Sequence, residues 1–155
     1  KGTPVAFVAG AYVLIDSFGA LLGPSNKPLI TDRHYEHLLA SNFIAMHGAV
    51  MYRRAALLAA GGFDQTLAAC EDYDVYLRIA RTQPIRCHRA VVAEYRRHDN
   101  NMSSNSALMF ATVMEVLNRH RPQPGDSAAL HVAYSRGDEL YRHYYGGQLT
   151  PERGE

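Results

Sequence analysis

Four acidic residues fall close together in GGFDQTLAACEDYDVYLR, the stretch from Gly61 to Arg78: Asp64, Glu71, Asp72 and Asp74. Carboxylates at such spacing serve one of three ends. They clamp a divalent cation, they take a proton from a substrate, or they sit in the first turn of a helix whose dipole favours negative charge. The spacing predicts a helix from about Glu71 to Arg81. At roughly 100° per residue, Asp72 shares one stripe with Val75, Tyr76 and Ile79, while Asp74, Arg78 and Arg81 fall on the opposite face.

This separation gives the two aspartates different expectations. Asp74 reads as a solvated charge with Arg78 as its i, i+4 partner, an exposed pair worth about 0.5 kcal/mol. Asp72 interrupts an apolar stripe. It is either a capping acid satisfied by backbone amides or a carboxylate at the floor of a pocket, where desolvation raises its basicity.

Three separated segments resemble the acceptor-side signature of inverting family 2 glycosyltransferases. RRAALLAAGGFDQTLAACEDYDVYLRIA carries GGFD, a short spacer, and an ED pair opening an Arg-bearing helix. VAEYRRHDNNMS is similar to a closing YRxHxxNxS segment, and GAYVLIDSFGALLG resembles the strand and turn after the metal-binding half. The match spans approximately residues 5–105. It implies an α/β fold, the C-terminal half of a GT-A domain with a Rossmann-like mixed sheet, over 1–105, followed by a helical extension over 106–155.

On this resemblance Asp72 is the general base that deprotonates an acceptor hydroxyl, and Glu71 helps to orient that acceptor. His98 is a ligand of the divalent cation, Mn²⁺ or Mg²⁺, that holds the donor diphosphate. Inverting transfer needs one base opposite the leaving group and a cation to neutralise the diphosphate, and neutral His with carboxylate oxygens suits Mn²⁺. His47 falls where the family lines its sugar pocket, with a buried, satisfied histidine as the equal alternative. Arg96 and Arg97 alternate across a strand end, so one meets the diphosphate and the other is solvated; Arg97 is the expected ligand.

The family's aspartate-rich DxD metal motif has no counterpart in residues 1–60, and Asp72–Asp74 belong to the ED motif instead. The expectation is a chain that opens partway through a transferase domain, with its DxD upstream of Lys1. Alone it should be inactive and prone to self-association. Two other readings stay open: a galactosyltransferase-like C-terminal domain, against which the absence of Trp counts, and a non-catalytic module that binds glycan or protein.

The elements that must position these residues follow from patterning. A strand over 5–15, broken at Gly10, turns at Asp16–Gly19 into a short return segment, and GPSNKP is a loop. Asp32 caps a short helix through Ala40 with Tyr35, Leu38 and Leu39 inward, and FIAMHGAVMY supplies one or two buried strand segments. RRAALLAAGG is a helix ended by Gly61 or Gly62. IRCHRAVVAEYRR is a strand, and HDNNMSSNS is a polar loop of little intrinsic rigidity. A helix over 104–120 precedes a last one from Ser127 with Leu130, Tyr134, Leu140, Tyr141 and Tyr144 inward and a frayed tail after Gly146.

His34 and His37 form an HxxH with no third ligand nearby, and His88, His120, His131 and His143 read as surface residues. With 155 residues, 47% hydrophobic residues and a net charge of +1, the chain has material for one core. That charge speaks against nucleic acid as a partner. The longest apolar run, PVAFVAGAYVLI, is twelve residues and too short to span a bilayer. Cys70 and Cys87 fit free thiols of a reducing compartment. The expected location is cytoplasmic, with membrane association of the parent protein left open.

Overall fold

The structure, a computed structural model, describes residues 3–25, 27–98 and 101–149. The expected loops at Asn26 and at Asp99 and Asn100, and the tail from 150 onward, fall in part outside the described residues. The architecture is mixed α/β, an open four-stranded sheet with helices packed against it.

The sheet is organised by β1 (Phe7–Ile15). On one side β4 (Arg86–Arg96) runs parallel to it, from Val8 opposite Arg86 to Ile15 opposite Arg96. On the other side β3 (Val50–Tyr52) pairs antiparallel with Phe7 to Ala9, and β2 (Leu21–Pro24) pairs antiparallel with Val13 to Ile15. The turn into β2 is built as its sequence suggests, with Asp16 Oδ1 accepting from the amides of Phe18 and Ala20 at 2.9 and 2.8 Å.

Gly10 does not break β1. Ala9 pairs with Cys87 and Ala11 with Val91, so β4 carries extra residues at this point and folds over the glycine. A Cβ on Gly10 would lie 2.5 Å from Val92 Cγ2, which is why a glycine stands in mid-strand.

Helices α1 (His34–Ala40), α3 (Glu71–Ala80), α4 (Ser106–Arg119) and α5 (Ala128–Leu149) share one core with the sheet. Phe7 and Ala9 of β1 meet Tyr76 and Ile79 of α3, and Leu38 and Leu39 of α1 join Val116, Leu117, Tyr134 and Tyr141. Tyr73 on α3 donates a 2.6 Å hydrogen bond to the Leu38 carbonyl, fixing α3 against α1. Short α2 (Arg54–Ala59) ends as expected, Gly61 and Gly62 taking φ of 87° and 69°, where a side chain would be strained.

Several local expectations are corrected. Asp32 does not cap α1; Arg33 is the N-cap residue, with no side-chain capping bond. FIAMHGAVMY forms a single turn of 3₁₀ helix (His47–Ala49) and the three residues of β3, with Met51 exposed rather than buried. On α5, Tyr134 and Tyr141 are buried, but Leu140 and Tyr144 are exposed, and the helix continues through Leu149. Among the described residues no helix is long and apolar enough to cross a membrane.

Candidate functional site

The start of α3 is set by backbone geometry upstream. After Gly62 the chain turns at Asp64, whose Oδ1 accepts from the Thr66 amide and hydroxyl at 2.8 and 2.7 Å. Cys70 then takes a left-handed φ of 57° and swings the chain into the helix. This puts Glu71 and Asp72 in the first turn, at the end of the helix that favours anions.

Asp72 is partly buried there. Its Oδ1 accepts the Tyr73 amide at 2.7 Å and its Oδ2 accepts the Tyr76 hydroxyl at 3.4 Å. Burial raises its pKa, and the neighbouring Glu71 charge adds to this. The Tyr73 amide, the His47 charge and the Tyr76 hydroxyl pull in the opposite direction. Such a carboxylate is more basic than a solvated one while keeping hydrogen bonds that orient it.

Asp72 and Glu71 open onto a cleft of about 430 Å³ that His98 and Asn101 line from the loop after β4. Residues more than twenty apart in sequence thus share one space. His98 also lines an adjoining, more polar groove of about 580 Å³ with Arg97, Ser106 and Gln148. The two Arg neighbours divide as alternation requires. Arg96 turns to the β1–β2 turn, where its Nη1 donates to the carbonyls of Asp16 and Ser17 at 3.1 and 3.0 Å, so it is engaged rather than simply solvated. Arg97 faces the groove.

His98 is more tied down than the polar composition around it predicts. Asn101 Nδ2 donates to the Tyr95 hydroxyl at 3.1 Å and to the Arg96 carbonyl at 3.0 Å, while its Oδ1 accepts the His98 amide at 3.2 Å. The asparagine of the YRxHxxNxS pattern therefore holds its histidine in place. The motif contained this residue, and only the contacts reveal what it does.

His47 is exposed and does not line this cleft, so the buried alternative fails. Its ring meets Phe63 edge-on at 5.1 Å, and its charge still reaches Asp72.

Asp74 is the largest correction. It is 2% exposed, not solvated. Its predicted partner is right, since Arg78 Nε donates to Asp74 Oδ2 at 2.8 Å, but Arg119 of α4 also approaches, at 3.6 Å. Arg78 in turn donates to the carbonyls of Ala60 and, at 2.6 Å, Gly62, while Arg119 bonds Asp64 at 2.7 Å. One buried carboxylate thus links α3 to α4 and to the Gly61–Gly62 loop.

His120 is likewise buried, not on the surface: its Nδ1 lies 3.2 Å from the Tyr35 hydroxyl, and burial pushes its pKa down to about 4. His34 of the HxxH pair is engaged by the Ile30 carbonyl at 3.2 Å. Cys70 and Cys87 are free, and burial raises their pKa values to about 12 and about 11, leaving both unreactive as thiols near neutral pH.

His98, the expected cation ligand, shares this cleft with Glu71 and Asp72. Among the described residues no group of three His, Cys, Asp or Glu side chains comes together to hold an ion. These residues do not fit a cation on their own.

Compared with known proteins, the chain matches no family model and none of the curated sequences.

Proposed function

We propose that this chain is the acceptor-side part of an inverting GT-A-type glycosyltransferase, with Asp72 as the general base. The observation that carries the proposal is the convergence of Asp72, Glu71 and His98 on one cleft. Asp72 is poised there by burial to be more basic than a free carboxylate, and Tyr73 and Tyr76 orient its two oxygens. An acceptor hydroxyl seated against Asp72 would pass its proton to that carboxylate as its oxygen bonds to the donor's anomeric carbon and the bond from that carbon to the diphosphate breaks. Glu71 beside it would hold a neighbouring hydroxyl. Arg97 and His98 bound the groove next to it, the side on which the diphosphate of a nucleotide-sugar donor would lie.

A bound Mn²⁺ or Mg²⁺ would supply charge neutralisation at that diphosphate, its carboxylate ligands coming from a DxD segment other than these residues. The rival reading, a glycan- or protein-binding module without catalysis, predicts no turnover in the complete parent with Asp72 in place. On the sheet's own strands Met51, Val91 and Val92 are exposed, which supports self-association when this chain stands alone.

The test is Asp72→Asn in the complete parent transferase. Turnover should fall by about 10²-fold or more, the scale for losing a general base, with donor affinity unchanged. The same substitution should raise the melting temperature at neutral pH. The folded-state pKa of Asp72 is raised, so the folded protein binds its proton more readily than the unfolded chain does. The stability it contributes is present below the unfolded value of 3.8 and is lost as pH climbs through the folded value, so removing the charge helps above that window. Retained turnover in a more stable variant would rule the base out.

A further inference from the structure

The cleft at Asp72 does not end at Glu71. Through Asn42, Ala45, Cys70 and Met109 it continues into a second cavity of about 400 Å³ whose far wall is α5. Tyr141, Tyr144 and Tyr145 line that wall. Tyr144 and Tyr145 meet edge-to-face at 4.8 Å, and Tyr144 is 58% exposed although it belongs to a helix face that packs on the core. An aromatic ring left open beside a cleft is unusual for a residue whose neighbours Tyr141 and Tyr145 are sheltered. Tyr144 also borders the groove of Arg97 and His98, so it stands where that groove meets the second cavity.

The opposite rim is polar. Lys27, Ser41 and Asn42 border the same cavity. Lys27 Nζ spends one donor on the Asn42 carbonyl at 3.4 Å, and the Asn42 amide is fixed by the Tyr141 hydroxyl at 2.8 Å. Asn42 Oδ1 accepts from the Ala45 amide at 3.0 Å, and among the described residues its Nδ2 donates no hydrogen bond. Among the described residues the Ser41 hydroxyl makes no hydrogen bond. An aromatic wall facing several unspent donors and a hydroxyl suits a ligand with one apolar face and a polar edge. A pyranose ring has that shape, its axial C–H bonds on one face and its hydroxyls around the rim. An isoprenoid chain would leave the rim donors unpaired, at a cost in desolvation.

We infer that the Tyr144 wall of α5, with Lys27, Ser41 and Asn42 opposite, is a subsite for a pyranose ring of the acceptor glycan, adjacent to the ring that presents its hydroxyl to Asp72. This inference rests on the acceptor role proposed for the cleft. It gives the C-terminal helix a part in choosing the acceptor.

Saturation-transfer NMR on the 155-residue chain with a panel of methyl pyranosides tests it. At least one pyranoside should receive saturation on its ring C–H protons. Tyr144→Ala should weaken that binding about tenfold, the scale of one aromatic contact, while Tyr144→Phe keeps it. Val132→Ala, on an exposed part of the same helix, should leave binding as it is and serves as the control. Absence of transfer to every sugar overturns the inference. So does equal binding by Tyr144→Ala, and so does competition for Tyr144 by farnesol in preference to the sugars. Sugar binding at Tyr144 beside an Asp72→Asn parent that retains turnover would sink the transfer reading and leave the subsite standing.

Discussion

The Tyr76 hydroxyl reaches back one turn of α3 to the Asp72 Oδ2, 3.4 Å away. Behind it the Tyr52 ring stacks on Tyr76 at 6.5 Å and 14°, and the Tyr52 hydroxyl is buried beside the Tyr76 hydroxyl. The proposed base is thus backed by two phenols in an apolar setting. Tyr76→Phe removes a donor that stabilises the charged carboxylate, so the Asp72 pKa should move further up. In the parent transferase the acid limb of the kcat/KM profile should shift to higher pH, with little change on the alkaline side. An unmoved acid limb would detach Tyr76 from the base.

Asp74 predicts a different kind of loss. Asp74→Asn leaves the Arg78 and Arg119 guanidiniums facing each other across a buried site without their shared anion. Breaking a buried pair of this sort costs about 3 kcal/mol. Urea denaturation should show a lower midpoint with an unchanged slope. Turnover per folded molecule should fall as well, because the same network holds the Gly61–Gly62 loop and the start of α3. A stability change under about 0.5 kcal/mol would return Asp74 to the surface-pair class.

His120 sets an acid-side dependence. Its folded-state pKa is depressed to about 4 from 6.5, chiefly by burial, with Asp74 opposing and Arg81, Arg78 and Arg119 adding to the effect. The unfolded chain therefore binds a proton that the folded one refuses. Stability should fall as pH drops from 6.5 towards 4, with a slope approaching about 1.4 kcal/mol per pH unit from this group. His120→Gln should flatten that segment of the stability curve. A curve of equal steepness in the variant would assign the loss elsewhere.

Gly137 opposes helix propensity to packing. In an isolated helix Gly→Ala gains about 1 kcal/mol. Here a Cβ at 137 would sit 2.0 Å from the Leu39 carbonyl oxygen, where α5 crosses α1. Backbone cannot yield as a side chain does, so Gly137→Ala should lose about 1–3 kcal/mol, and the melting temperature should drop. Displacing α5 should also weaken sugar binding at Tyr144. A variant more stable than the original would show that the crossing relaxes.

Local chemistry made much of this molecule legible from its sequence. Strand-forming residues specified β1 and β4 apart from the break expected at Gly10, the Asp16–Gly19 turn specified the return into β2, and the paired glycines ended α2 as expected. The position of Asp72 on the stripe of Val75, Tyr76 and Ile79 was readable too, because a helical period of 3.6 depends on nothing outside the helix. What the sequence does not hold is what lies on the other side of that helix. The stripe argument assumes solvent opposite the apolar face, but at Asp74 the side chains of Arg78 and Arg119 and the Gly61–Gly62 loop stand there instead, so Asp74 became a buried hub rather than a surface charge. His120 and Tyr144 were misplaced for the same reason in opposite directions, one covered by Tyr35 and the other left open at a cavity wall. Burial is a property of what the chain brings from elsewhere, so periodicity fixes which residues share a face and only packing fixes what that face meets.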